Sequence, residues 1–279
     1  MHSAPGTGLG IWPGQALRLG VAAGSASLWC SRRWRAPAWT LLGQQQFALQ
    51  GAPGDFAALG QVLLSLLGAA GRAHWPLSVV LDDALVRLWS VELPHGATCL
   101  ADIEAAAAMR FQALYGEPAA PWRRSGVWTA GAPFFCAVPE ALLAQIVHAA
   151  DAAKLALVAV VPQFVANWNG WQGKLAAQDW FGQLQGNMLR LGIREQGQLR
   201  AVRAIDMPPG ASFDWLMQNV QREALLQAVA PPPQLQLCGA VPASWLAAGA
   251  GGQFACRQLA PVAPGSTDSA LLAQSGSQP

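Results

Sequence analysis

Charge is the scarcest property of this chain. Only 11% of its 279 residues are Asp, Glu, Lys or Arg, against about a quarter in an ordinary soluble domain. The 17 basic and 15 acidic side chains leave a formal charge of +2. That excess is too small for the basic face that phosphate contacts require, so nucleic acid is excluded as a partner. Cys30, Cys99, Cys136, Cys238 and Cys256 are odd in number and widely spaced, with no Cys-x-x-Cys pair, and His2, His74, His95 and His148 are equally scattered. This argues against a disulfide framework and against a metal site, and for buried thiols in a reducing compartment. Long apolar runs are missing too. The stretch 155–173 is interrupted by Pro162, Gln163, Asn167 and Asn169, and the stretch 224–256 by Pro231, Pro232 and Pro233, so neither reads as a membrane span of about 20 residues. The first residues lack a basic segment followed by an apolar one, so no secretory signal is read and a cytoplasmic location is expected.

What the chain has in abundance is apolar surface. Hydrophobic residues make up 53% of it, thirteen are Trp, and the mean hydropathy is +0.26, which excludes global disorder and supplies a large core. A Gly/Pro-rich leader over 1–14 precedes two short strands near 16–20 and 26–30, joined by a small-residue turn, and a third near 40–49. Phe56, Leu59, Leu63, Leu66 and Leu67 then recur at helical spacing behind Asp55 as N-cap, and Gly68 and Gly71 end the helix. The run 77–81 reads as a buried parallel strand followed by a solvated turn at Asp82 and Asp83. A strand over 85–93, a helix carrying Ile103, Ala107 and Phe111, a Trp-bearing connection 121–124 and strands 126–129 and 134–138 follow. Pro139 opens a helix with Leu142, Ile146 and Ala150 on its apolar face. Beyond it come a buried strand 155–161 and a helix through Phe164, Trp168 and Trp171. A second hairpin is read over 188–193 and 199–205, then a helix capped by Ser212, a strand 234–238 and a short helix near 243–247. The Trp residues, Trp122, Trp128, Trp168, Trp171, Trp180 and Trp215 among them, fall mostly on predicted apolar faces and so belong to the core.

Two hairpin-led α/β halves, one near 17–30 and one near 187–205, with a small α/β insertion between them resemble the actin-like ATPase (ribonuclease H-like) two-lobed fold. More narrowly, the chain resembles the PilM/GspL-type assembly proteins of type IV pili and type II secretion systems. That resemblance is carried by the strand ending Glu92-Leu93-Pro94, the acidic helix with Asp102 and Glu104, the strand 134–138, the helix 140–153 and the return strand into Phe164-Val165-Ala166. It implies a flexible leader (1–14), a first lobe (15–84 plus 155–175), an inserted α/β subdomain (85–154), an abbreviated second lobe (176–260) and a disordered tail (261–279).

The resemblance also implies a nucleotide site, and here the sequence departs from the pattern. Ala22 stands in Gly20-Val21-Ala22-Ala23-Gly24-Ser25 where the first phosphate hairpin carries an acid. Gln183-Leu184-Gln185 stands where a second Asp-x-Gly is expected, and the adenosine-side Gly-Gly is reduced to Cys238-Gly239-Ala240. Without both metal-organising carboxylates, ATP hydrolysis is disfavoured. Gly24, Ser25 and Gly239 are left as a degenerate phosphate cradle, with a tight turn the preferred reading of Gly24. No cofactor is expected, ATP with Mg²⁺ being disfavoured. Ser31 and the cluster Arg32, Arg33, Trp34 and Arg35 are the densest cationic feature, suited to an anionic lipid surface or a partner, or else a solvated hairpin tip. The resemblance implies a non-catalytic scaffold of a pilus or secretion machine, cytoplasmic and peripheral to the inner membrane. It would bind the cytoplasmic segment of an inner-membrane protein and link it to the assembly ATPase, with self-association left open. Two alternatives remain at this point, an atypical actin-like ATPase or kinase that still binds ATP, and a peripheral membrane adaptor.

Overall fold

In the computed structural model, residues 15–32, 38–48, 54–92, 99–127, 133–248, 254–259 and 267–276 are described below. The first lobe begins with an antiparallel meander, β1 (Gln15–Val21), β2 (Ser25–Arg32) and β3 (Ala38–Gln46), followed by α1 (Ala57–Ala70) and β4 (Pro76–Leu81). The chain then leaves the lobe through β5 (Arg87–Ser90), α2 (Leu100–Tyr115), β6 (Trp122–Val127) and β7 (Phe134–Pro139). It returns in α3 (Glu140–Ala152), β8 (Ala156–Pro162) and α4 (Gln163–Trp171). The second lobe is β9 (Trp180–Gln185), β10 (Met188–Glu195), β11 (Gln198–Asp206), α5 (Phe213–Leu226), β12 (Gln234–Gly239), α6 (Ala243–Ala248) and β13 (Ala255–Gln258), and α7 (Asp268–Gln274) closes the described chain.

Sheet order explains the architecture. The first sheet runs β3-β2-β1-β4-β8 and the second β11-β10-β9-β12-β13. In each, a three-stranded antiparallel meander is extended by two parallel strands. Strand alternation sorts the residues of β1. Leu17, Leu19 and Val21 join the aliphatic core under α1 and α3, with Leu59, Leu63, Leu77 and Ile146. Arg18, Gly20 and Ala22 take the other face, where Ala22 meets Val80, Ala166 of α4 and Leu272 of α7. In the second lobe, Trp180, Leu184, Leu191 and Leu237 pack beneath α5 and α6. Phe181 and Cys238, on the opposite face, meet Phe164 and Trp171 of α4. α4 is thus the shared layer between the two sheets.

Several sequence expectations are corrected. The helix placed in the inserted subdomain, α3, buries Leu142, Ile146 and Ala150 in the first-lobe core, because its apolar stripe complements α1. The insertion proper is residues 87–139, a sheet of order β5-β7-β6 with Trp89, Phe111 and Phe135 as its core. The connection 121–124 is the start of strand β6, since Trp122 packs on Phe111 at 5.6 Å. The strand expected to be buried at 155–161 is an edge strand, half-buried, with Val158 bulged out. The second hairpin equivalent to β1–β2 is β9–β10, one strand earlier than read. β9 is nearly all buried and shows no alternation from which to recognise it. The tail expected to be disordered holds α7, with Ser269, Ala270, Leu272 and Ala273 buried. The leader, the remainder of the tail and Trp128 lie outside the described residues. Among the described residues no helix is long and apolar enough to cross a membrane.

Candidate functional site: the cleft between the lobes

Because β1, β4 and β8 are parallel, their carboxyl ends share one edge of the first sheet. Such edges are where open α/β sheets place ligands. The edge carries the 22–24 turn, Asp82 and Asp83 after β4, and Gln163 after β8. Facing it, β9 and β10 of the second lobe present Gln183 and its cross-strand partner Arg190.

These side chains are bonded to one another. Gln183 Nε2 donates to Asp83 Oδ2 at 2.8 Å and to Gln163 Oε1 at 3.0 Å, and Gln183 Oε1 accepts from Asn167 Nδ2 at 2.9 Å. Asn167 lies one turn after Gln163 on α4, so both side chains project from the same helix face. Asp83 also accepts the Phe164 N–H at 3.1 Å and faces Arg190 Nε at 3.6 Å. It is 2% exposed and Gln183 1%. Burial pushes the Asp83 carboxyl up to about 6, against the opposing pull of Arg190, the Phe164 N–H and Gln183. Asp82 accepts the Ala84 N–H at 2.8 Å, and burial raises its carboxyl as well. The solvated turn expected at Asp82 and Asp83 is therefore overturned: both are buried, and Asp83 bridges the lobes. Adjacent acids read as a turn in sequence because nothing local announces the glutamine and arginine that fold over them from about 100 residues away.

The expected phosphate-cradle residues sit on opposite lobes. Gly24 and Ser25 form the β1–β2 turn, closed by Ala22 N–H to Ser25 O at 2.8 Å. Gly24 does not take a positive φ, and a Cβ there would find its nearest neighbour, Phe47 O, at 3.6 Å, so the turn does not require glycine. Gly239 ends β12 at φ +101°, where a side chain would strike the Leu184 carbonyl, so there glycine is required by the fold. No hydrogen bond joins Gly24 or Ser25 to Gly239 among the described residues. Arg32 ends β2, and Arg33, Trp34 and Arg35 lie outside the described residues.

The positions where the resemblance implies metal-organising acids carry none. Ala22 presents a methyl group inside an apolar cluster. Gln183, at the second acidic position, is neutral and its amide bonds are taken by protein groups. Asp82 and Asp83 are committed to protein N–H donors. Among the described residues no cluster of three His, Cys, Asp or Glu could hold a metal.

A shallow, open concavity of about 560 Å³ lies beside α3, lined by Arg123 of β6 and by Glu140, Leu143, Ala144, Val147, His148 and Asp151 of α3. His148 is exposed, as its helical position implied.

The chain is similar in fold to solved structures over most of its length. The cytoplasmic domain of EpsL, an inner-membrane component of the type II secretion system of Vibrio cholerae, aligns with a TM-score of 0.55 at 13% identity. The alignment covers 94% of this chain and 94% of that one. A chain of the PilM–PilN type IV pilus biogenesis complex aligns at 0.58 and 14% identity, covering 96% and 99%. A Bacteroides thetaiotaomicron protein of actin-like ATPase fold and unknown function aligns at 0.56 and 8%, covering 83% and 84%. The fold is actin-like. No family model matches the sequence, and no curated protein matches it.

Proposed function

We propose that the protein is a non-catalytic cytoplasmic scaffold of a type IV pilus or type II secretion-like assembly, binding the cytoplasmic segment of an inner-membrane partner. The observation that carries the non-catalytic half of this reading is Gln183. At the position where phosphoryl chemistry calls for a carboxylate, its amide is bonded to Asp83, Gln163 and Asn167, and positioning and charge are what such catalysis consists of. The assembly half is supported by the near-complete coverage shared with the EpsL domain and the PilM–PilN complex chain. The shallow surface beside α3 is the one this reading assigns to the partner segment, since apolar Leu143 and Val147 lie there among the charged Arg123, Glu140 and Asp151. The test has two arms. Millimolar ATP with Mg²⁺ should give neither a thermal shift nor phosphate release. Immobilised protein should retain an inner-membrane pilus or secretion component from detergent-solubilised native membranes, and Val147→Asp should abolish the retention. Phosphate release in the first arm restores the ATPase reading, and no such component in the second removes the scaffold.

A further inference from the structure

The latch at the cleft is tied to the end of the described chain. α7 lies across the first-lobe sheet, its Leu272 packed on Ala22, Val80 and Ala166. Its carboxyl end is held by Arg18 of β1, whose Nη1 donates to Ser275 O at 2.7 Å and to Ala273 O at 3.4 Å, a favourable place for a cation at a helix C-terminus. The next residue turns into α4: the Gly276 N–H donates to Asn167 Oδ1 at 2.8 Å. The Asn167 amide is thereby oriented, and its Nδ2 donates to Gln183 Oε1. Gln183 in turn holds Asp83 and Gln163. A hydrogen-bonded relay therefore runs from β1 through the tail to α4, across to the second lobe, and back to the first.

Glycine makes the tail fit. Gly276 sits at φ +70°, with the Ala166 carbonyl where a side chain would go, and a Cβ on Gly170 of α4 would lie 2.7 Å from the Gly276 Cα. The close approach of the two backbones sets the geometry of the Gly276–Asn167 bond.

We propose that residues 267–276 are a strap whose docking on the first lobe sets the inter-lobe latch, so that lifting α7 frees Gln183 and loosens the two lobes. The strap is a conformational control built into the fold, and it operates whether the open cleft serves a ligand or a partner protein. Its bistable element is the Asn167–Gln183–Asp83 group: the bonds of Gln183 to Asp83, Gln163 and Asn167 form only when the lobes are shut, and opened, those atoms take water.

Gly276→Ala tests this without deleting a hydrogen-bonding group. The Gln183 side-chain NH₂ protons should exchange with solvent about five- to tenfold faster than in the unmodified protein, as expected for loss of about one net hydrogen bond from the closed state. Backbone amides inside β2 and β10 should keep their native rates. Asn167→Asp separates the two ends of the relay. It retains the acceptor for Gly276 but loses the donor to Gln183, so Gln183 exchange should accelerate while the α7 amides stay protected. A chain ending at Gln274 poses the same question as Gly276→Ala should that variant fail to fold. Faster α7 exchange with Gln183 still protected would show that tail and latch are uncoupled, and uniform acceleration throughout both lobes would show a merely structural contact. Either result overturns the proposal.

Discussion

The first lobe closes on an aliphatic interior, with Leu17, Leu19, Leu63, Leu77 and Ile146 under α1 and α3, whereas the second lobe, with the same strand order, encloses Asp179, Arg194 and Gln236 beside its apolar core. Arg194 donates to the carbonyls of Ala176 at 2.6 Å, Asp179 at 3.1 Å and Gly197 at 3.0 Å, and Gln236 Nε2 donates to Asp179 Oδ2. One topology is thus completed in two ways. Non-directional burial fills the first-lobe core beneath α1 and α3, and oriented polar contacts fix the second-lobe loops leading into β9 and joining β10 to β11. The difference matters for the cleft, because β9 and β10 carry Gln183 and Arg190, and a misplaced strand there would strand Asp83 unpaired.

The comparison can be broken by paired substitutions. Leu63→Ala should cost about 3 kcal/mol, the usual sum of lost transfer energy and a residual cavity. Arg194→Ala should cost about 2 kcal/mol, from carbonyls left without their donor. Denaturant unfolding measures both, and a negligible cost for Arg194→Ala would mean that the second lobe does not depend on its polar contacts.

A smaller effect concerns pH. A carboxyl whose folded value is raised contributes stability that is fully present below its unfolded value of 3.8 and is lost as pH rises through about 6. Asp83 faces Arg190 from β10 and neighbouring Asp82, which itself faces Asp268 of α7, and burial outweighs the cation. Lowering the pH from about 7 to about 5 should therefore raise the stability contributed by this group by roughly 1 kcal/mol. Asp83→Asn should remove that share of the pH dependence while keeping an acceptor for the Phe164 N–H. Identical pH profiles for the two proteins would sink the assignment.

The smallest effect separates the second lobe from the insertion. Burial pushes the thiols of Cys238 and Cys256 up to about 12 and that of Cys136 up to about 11, while Cys99 is exposed at the start of α2. Iodoacetamide at about pH 8 should alkylate Cys99 ahead of the others. Mass spectrometry should find one adduct per native chain and no change in Tm.

How much of this was legible in sequence varied with the kind of signal. The α1 stripe Leu59, Leu63, Leu66 and Leu67 and the Ser212 cap, whose Oγ accepts the Trp215 N–H at 3.1 Å, stand where periodicity and capping placed them. The missing acids at Ala22 and Gln183 were equally plain, since an absent carboxylate is visible without a structure. β9 escaped because a strand buried on both faces does not alternate, and α7 because a short Ala- and Ser-rich segment resembles a loop until a sheet covers it. The latch had one readable trace, Gln163 and Asn167 four apart on one face of α4.

Sequence alone determined the apolar and polar faces of the long helices, the first hairpin and the absence of a carboxylate at positions 22 and 183, because these depend on residues within a few positions of one another. Only the tertiary structure decided that Asp83 is buried, that α3 belongs to the first-lobe core and that α7 returns to cover β1. Each of those outcomes rests on partners far away in the chain, brought together when two similar sheets pack on one shared helix.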